Sequence, residues 1–322
     1  MKSFYYSLGL AFLACMIVVS LFVGAGQLNM QAVWNDPEMR DIFFISRVPR
    51  TLALLLAGSA MSVAGLIMQL LTQNRFVEPS LAGTTQSASL GLLVVMIAVP
   101  GATIFTKMVV ASLFALAGTF LFMMLLQRIV LKSALVVPLV GIMLGAVISS
   151  ITTFGAMYFD LLQALGSWES GDFSGVLQGR YELLWLVGAL TLVACWIADR
   201  FTVAGMGREF SVNVGLNYRQ VMMMGLSIIA IVSGVVVVVV GSLPFIGLIV
   251  PNLISMMMGD NVRKTIPWVC LLGGGLVLCC DIISRVIRYP FEIPVSVILG
   301  VIGAAVFLLL LLSQKRHVSQ ST

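Results

Sequence analysis

Four arginines beside apolar segments are the first residues whose type and spacing could do chemistry. Arg47 and Arg50 stand in the sequence Arg-Val-Pro-Arg at the start of one segment, and Arg285 and Arg288 stand at the end of another. An arginine at a membrane interface either extends toward lipid phosphate or binds a carboxylate through two parallel hydrogen bonds. Separated arginines on one exposed face suit the carboxylates of a docking protein, so lipid contact and protein docking both stay open.

Hydroxyl and amide side chains form a second candidate group, inside two apolar segments. So many polar side chains in one segment indicate that this face of the helix contacts water or another helix rather than lipid. The two interpretations are the lining of a pathway and interhelical hydrogen bonding that never touches a substrate. The candidate pathway residues are Thr84, Gln86, Ser149, Ser150, Thr152 and Thr153.

A third candidate is the long polar connection at residues 199–219. Its mixture of small, polar and single apolar residues is typical of a short surface helix that packs into a partner's cleft. The alternative is an ordinary connecting loop. Within this connection Gly215 would permit a tight turn or a close backbone approach, because glycine adopts backbone angles that other residues avoid.

The sequence lacks the motifs that would let one chain hydrolyse or bind a nucleotide. It has no Walker motif, no GxSxG and no HExxH, and the only histidine is His317. The five cysteines show neither CxxC nor Cys/His spacing, so we expect no metal site, cofactor or disulfide framework. Asp281 and Glu292 stand near the ends of apolar segments, which predicts no mid-membrane proton relay. Energy for transport would then come from a separate ATPase; an ion-coupled secondary transporter and an integral-membrane enzyme are the rival classes.

These groups must be positioned by an all-α integral membrane protein. Of 322 residues 60% are hydrophobic and 10% charged, against roughly a quarter charged in soluble domains, which excludes a water-soluble fold. The basic residues are scattered singly, so no nucleic-acid surface is predicted. Apolar blocks near the ~20 residues that cross a bilayer predict about ten transmembrane helices in one domain, residues 1–322. The blocks are residues 5–24, 51–72, 80–99, 108–127, 134–157, 182–198, 220–241, 243–258, 266–284 and 294–313.

Charge and proline positions predict the orientation and one broken helix. An even number of spans puts both termini on one side, and a cytoplasmic placement puts most of the 18 Lys and Arg residues inside. The first block is long enough to be an uncleaved first helix rather than a signal peptide. Pro244 and Pro251 bracket a predicted short half-helix, because proline interrupts helical hydrogen bonding.

Several separated motifs together resemble one family. They are Arg-Val-Pro-Arg-Thr-Leu-Ala at Arg47, Gly-Ser-Leu-Pro-Phe-Ile-Gly-Leu-Ile-Val-Pro-Asn at Gly241, and Glu-Ile-Pro-Val-Ser-Val-Ile-Leu-Gly at Glu292. Over almost its whole length the chain is similar to permeases of ATP-binding-cassette importers for iron siderophores, haem and vitamin B12. The resemblance implies type II importer architecture, the bacterial cytoplasmic (inner) membrane, and transport by alternating access.

The resemblance also implies a set of partners. Such a permease pairs with a second permease subunit, identical or paralogous, and with two ATPase subunits that bind the ATP and Mg. A binding protein outside the membrane delivers the chelate. Its glutamates would meet Arg47, Arg50 and Arg285, with Arg288 a less close match, and the fifth span would line the pathway and its gate. The connection at residues 205–218 would couple the permease to the ATPases, and its candidate residues are Gly205, Gly207, Arg208, Glu209, Val214, Gly215 and Leu216.

One departure from the common family pattern narrows the cargo. Many relatives carry Asn-Pro-Leu-Ala-x-Pro followed by Leu-Gly after the second span. This chain has Asn-Arg-Phe-Val-Glu-Pro from Asn74 to Pro79, followed by Ala82 and Gly83. The variant is more similar to the branch that serves ferric siderophores, including catecholate types, and pairs two different permeases. A haem or cobalamin importer is the alternative.

Overall fold

A computed structural model describes residues 2–23, 36–129, 136–179, 181–259, 261–289 and 291–319. Its regular elements are all helical in these ranges. Two of the 18 Lys and Arg residues used to predict the orientation, Lys132 and Arg180, lie outside the described residues. In chain order the α-helices are α1 (Lys2–Phe22), α2 (Pro37–Ile42), α3 (Val48–Leu71), α4 (Thr84–Ala98), α5 (Ile104–Arg128), α6 (Val136–Tyr158), α7 (Leu162–Glu169), α8 (Leu184–Trp196), α9 (Ala198–Gly205), α10 (Arg208–Asn213), α11 (Tyr218–Val240), α12 (Ile246–Met258), α13 (Val262–Ile287) and α14 (Val295–Ser319).

The described helices account for the ten predicted apolar blocks. Five helical segments are long and apolar enough to cross a membrane, and α8 and α9 form a sixth that is bent by 63°. Four shorter apolar helices, which belong to α1, α4, α12 and α14, complete the set. The prediction of an all-α membrane protein with about ten apolar helices is confirmed.

The helix α3 lies at the centre of the bundle and packs against α8, α11, α12 and α13. The backbones of α3 and α13 approach closely where both helices carry small residues. At Gly58, for example, an added β-carbon would lie 2.6 Å from the carbonyl oxygen of Gly273. Helices in lipid gain little from burying apolar surface against each other, so close packing of backbones carries their association. The glycine pattern of the sequence therefore specifies how α3 and α13 meet.

Two of the ten helices begin inside the bundle rather than at its surface. The helices α4 and α12 contain 15 and 13 residues, fewer than the ~20 that cross a bilayer. Thr84, the first residue of α4, meets Thr119 in the middle of α5, with 2.8 Å between the hydroxyl oxygens. The predicted half-helix is thus present, but it begins after Pro244 and contains Pro251 within it rather than ending there.

Residues 72–83, which connect α3 to α4, pass into the bundle. Val77, Glu78 and Ala82 in this segment are buried. The Glu78 carboxylate accepts a hydrogen bond from the backbone N–H of Phe245 at 2.8 Å, directly before α12, and another from the Ser80 hydroxyl. Glu78 is therefore a buried carboxylate that links the segment before α4 to the start of α12, a position that the sequence alone did not reveal.

Candidate functional site

A buried ionic cluster closes one end of the bundle, called the arginine end below. Arg50 donates to one oxygen of Asp281 from Nε at 3.1 Å and from Nη2 at 2.6 Å, and from Nη1 to Glu292 at 2.7 Å. Arg285 is paired with the other Asp281 oxygen. Asp281 is fully buried, so both arginines serve to neutralise a carboxylate that could not otherwise stay charged there.

Arg285, together with Arg47, holds the end of α1. Arg285 donates to the backbone carbonyls of Ser20 at 2.9 Å and Val23 at 2.6 Å, and Arg47 donates to Val23 at 2.8 Å. The last carbonyls of a helix have no partner within the helix, and their partial negative charge favours a cation. Arg47 and Arg285 therefore cap α1 and attach it to α3 and α13.

These contacts correct one expectation about the four candidate docking arginines. Arg47, Arg50 and Arg285 are 9%, 6% and 3% exposed, so the predicted exposed face is wrong for these three. Their burial has a physical cause, since each guanidinium is directed at a carboxylate or a helix end rather than at solvent. Arg288 is exposed and lies 5.8 Å from the ring centroid of Phe291. A docking role for the four stays a prediction.

A polar cavity of about 280 Å³ lies between α4, α6 and α7. Four of the six predicted pathway residues line it, namely Gln86, Ser149, Thr152 and Thr153. Ser150 lines a neighbouring open hollow instead. Thr84 does not reach the cavity, and its hydroxyl contact with Thr119 matches the alternative of interhelical hydrogen bonding.

Sequence reasoning missed other residues of the cavity wall. The acidic Glu169 of α7 and Ser242, which follows α11, lie with Thr85 and Ser89 in the same lining. Ser242 is held there because its N–H donates to the Glu169 carbonyl at 3.2 Å. The sequence signal for both residues is weak. Glu169 is a lone acidic residue between apolar blocks, and Ser242 begins a turn that contains a proline.

One face of α6 is apolar and uncovered. Large side chains such as Met143, Val147 and Phe154 are 62%, 59% and 73% exposed, and only 28% of the apolar stretch of α6 is buried. The polar residues Ser149, Ser150 and Thr153 share this helix with them. The helix therefore presents both a polar strip and an apolar face to whatever adjoins the chain.

The opposite end of the bundle, called the loop end below, carries two short helices. Gly207, with φ of +105°, separates α9 from α10, and Gly215, with φ of +84°, turns the chain after α10. The buried Ser211 hydroxyl donates to the Gly207 carbonyl at 2.7 Å and also contacts the Val203 carbonyl at 3.0 Å. The predicted short surface helix and the predicted glycine turn are both confirmed.

The outer surface of this element carries large exposed apolar side chains although it lies at an end of the bundle. Met206, Phe210, Val212 and Val214 are 60%, 47%, 56% and 61% exposed. Of the predicted coupling residues, Arg208 and Glu209 begin α10 and are exposed, and Val214 and Leu216 flank the Gly215 turn. Exposed apolar residues on a short, well-anchored helix are typical of a surface that binds another protein.

The described residues hold no group of three or more His, Cys, Asp or Glu side chains that could bind a metal ion. What the fold does contain is a polar cavity within ten apolar helices, with an apolar contact surface at the loop end. These features define a multi-pass membrane permease.

The chain belongs to the FecCD transport family, whose family model matches residues 12–313. It is 46% identical to the petrobactin import system permease protein FatD of Bacillus anthracis, over 93% of this chain and 88% of that protein. It is 37% identical to the ferric-anguibactin transport system permease protein FatD of Vibrio anguillarum, over 91% of this chain and 94% of that protein.

The fold is shared with a solved structure, described as an inward-facing conformation of a metal-chelate type ABC transporter. The TM-score is 0.78 at 21% identity, covering 94% of this chain and 96% of the solved chain. The predicted fold class, the type II importer architecture, is therefore confirmed. The chain is an ABC transporter permease that crosses the bacterial cytoplasmic membrane several times.

Proposed function

We propose that this chain is the permease subunit of an importer that moves a ferric siderophore across the cytoplasmic membrane. The observation that carries the proposal is the near full-length similarity to two permeases of siderophore systems, named for petrobactin and ferric anguibactin. A bulky chelate travels with its metal already wrapped. The wall then needs weak polar contacts, such as those of the Gln86 and Thr152 cavity, rather than metal ligands.

In the proposed orientation the arginine end faces outward, the loop end faces the cytoplasm and both termini are cytoplasmic. A binding protein delivers the chelate to the arginine end, where Arg288 is exposed for contact with its carboxylates. Arg47, Arg50 and Arg285 contribute positive charge from below the surface. With Asp281 and Glu292 they leave the cluster one positive charge in excess, which favours an acidic partner.

At the loop end two ATPase subunits bind the ATP and Mg and receive the α9–α10 element. Its exposed apolar residues, Met206, Phe210 and Val214 among them, fit a cleft in such a partner. Because Ser211 anchors α10 to α9, a displacement of the element is transmitted to α8 and α11 rather than absorbed locally. The permease itself performs no covalent chemistry.

A second permease, identical or paralogous, covers the exposed face of α6. The polar strip at Ser149, Ser150 and Thr153 then lines a pathway between the two subunits, and the apolar face seals it. ATP binding and hydrolysis alternate the pathway between outward and inward opening.

The test is uptake into proteoliposomes that contain this permease with its partner permease and ATPases. We expect accumulation of ferric siderophore that requires ATP inside and the binding protein outside. Haem and cobalamin are supplied in the same assay, and uptake of either one in place of the ferric siderophore would identify the alternative cargo. Uptake that persists without ATPases and follows an ion gradient would show a secondary transporter and overturn the proposal.

A further inference from the structure

A groove of about 1160 Å³ opens at the loop end, and it shares no lining residue with the polar cavity. Its walls come from the last turns of α5, from α10 and from the first turns of α11. Four methionines, Met123, Met124, Met222 and Met223, line it together with Phe120. None of its lining residues belongs to α6, which carries the proposed permease interface.

The groove reaches into the depth of the membrane. Phe120 stands about two helical turns before the end of α5, and Leu226 stands about two turns after the start of α11. Two turns correspond to ~11 Å along the helix axes. A protein docked on the membrane surface does not fill space at that depth, whereas a hydrocarbon chain does. Methionine side chains are flexible and polarizable, which suits such a chain.

Two arginines line the part of the groove nearest the loop end. Arg208 is the first residue of α10, and Arg219 is the second residue of α11. The ion pairs among the described residues involve neither of them. Glu209, although next in sequence, is not part of the groove lining. The groove therefore combines apolar walls with two positive charges that have no carboxylate partner in the described part of the chain.

We propose that this groove is a binding site for one anionic phospholipid. The phosphate lies between Arg208 and Arg219, and an acyl chain lies along the methionines toward Phe120 and Leu226. The guanidinium planes suit phosphate oxygens through paired hydrogen bonds. Tyr218 and Asn217 at the same rim offer further polar contacts to the headgroup.

The site has a consequence for coupling, which rests on the proposed function. Arg208, Val212 and Leu216 belong both to the groove and to the α10 element that the ATPases are proposed to move. A lipid bound beneath α10 stabilises the position of that element. We therefore expect anionic lipid to raise the ATP turnover that accompanies uptake, whereas lipid binding itself does not depend on transport.

The test titrates phosphatidylglycerol into the assembled importer in a zwitterionic detergent and counts retained lipids by native mass spectrometry. We expect Arg219→Gln to weaken phosphatidylglycerol about fivefold, the fold-change that corresponds to ~1 kcal/mol for one basic residue at an anionic surface. Met223→Trp, which fills the apolar part, should weaken it as well. Arg263→Gln is the matched control, because Arg263 is exposed at the same end but outside the groove.

Three outcomes would overturn the proposal. Equal lipid retention by wild type, Arg219→Gln and Met223→Trp would show that the groove holds no lipid. Loss of ATPase subunits from Arg219→Gln, with lipid unchanged, would assign the groove to the ATPase. Displacement by inorganic phosphate, together with wild-type retention of phosphatidylglycerol by Met223→Trp, would show an anion site without a lipid chain. Melting temperatures identify a variant that fails to fold, and the remaining variant then decides.

Discussion

The carboxylate of Glu78 accepts a hydrogen bond at 2.8 Å from the backbone N–H of Phe245, a residue 167 positions later in the chain. This bond joins the segment that leads into α4 to the start of α12. Phe245 has φ of +64°, in the left-handed region that non-glycine residues rarely adopt. The contact therefore fixes a strained residue at the point where two broken helices begin.

We expect Glu78→Ala to lower the free energy of unfolding by about 1–3 kcal/mol, because the Phe245 N–H loses its acceptor inside the bundle. Glu78→Gln keeps an acceptor oxygen and should cost less. The measurement is thermal unfolding in detergent for both variants.

The control is Glu182→Ala, since Glu182 also accepts a backbone N–H, from Gly179 at 2.8 Å, but is exposed. Its replacement should change the melting temperature little. A Glu78→Ala variant that melts together with Glu182→Ala would show that the buried contact contributes nothing to stability.

The buried cluster at the arginine end gives a second prediction. Asp281→Ala leaves Arg50 and Arg285 buried without their shared carboxylate, so we expect a loss of about 3–5 kcal/mol in the free energy of unfolding. Because the cluster is shielded from solvent, added salt should hardly change this loss. Unfolding of the variant at low and high ionic strength checks both statements, and stability equal to wild type would mean that the arginines do not depend on Asp281.

Arg288 is the arginine that can test docking, because the other three candidates are buried. A charge reversal at Arg50 would break the ionic cluster, so that a loss of docking could not be distinguished from a loss of folding. We expect Arg288→Glu to weaken capture of the binding protein a few-fold, since an exposed ion pair contributes at most ~1 kcal/mol. The effect should be larger at low salt than at high salt, because mobile ions screen exposed charges.

Capture is measured on the reconstituted importer with purified binding protein. Arg263→Glu, at the other end of the bundle, is the control and should leave capture unchanged. If Arg288→Glu binds as wild type at every salt concentration, Arg288 has no part in docking.

The sequence was sufficient to predict the helices because an apolar block of about 20 residues has few alternatives in a membrane. The prolines predicted that α12 is a short half-helix, but the sequence was not sufficient to show that α4 and α12 begin inside the bundle, because burial of the segments before them depends on the tertiary fold. The burial of Arg50 could not be predicted from the sequence either. Its partner Asp281 stands 231 residues away, and a charge beside an apolar block looks the same whether it meets lipid, a docking protein or another side chain.

The cavity was predicted better than the cluster, for a physical reason. Ser149, Thr152 and Thr153 are polar residues within one apolar helix, so local sequence already requires a polar face. Glu169 and Ser242 join them only through the tertiary fold, because their backbone contact links α7 to the turn after α11.

The last prediction concerns the Gly215 turn of the coupling element. A β-carbon at Gly215 would meet nothing within 4 Å, but φ of +84° is unfavourable for any other residue, at a cost of roughly 1–2 kcal/mol. We expect Gly215→Val to displace Val214 and Leu216 from the surface that contacts the ATPases. ATP hydrolysis should then be uncoupled from uptake, while expression is unchanged.

The measurement of this uncoupling is uptake per ATP hydrolysed in proteoliposomes. Gly101→Val is the matched control, because its β-carbon also enters open space and its φ is outside the left-handed region. Normal coupling in Gly215→Val would exclude this turn from the transmission of movement between the ATPases and the helices.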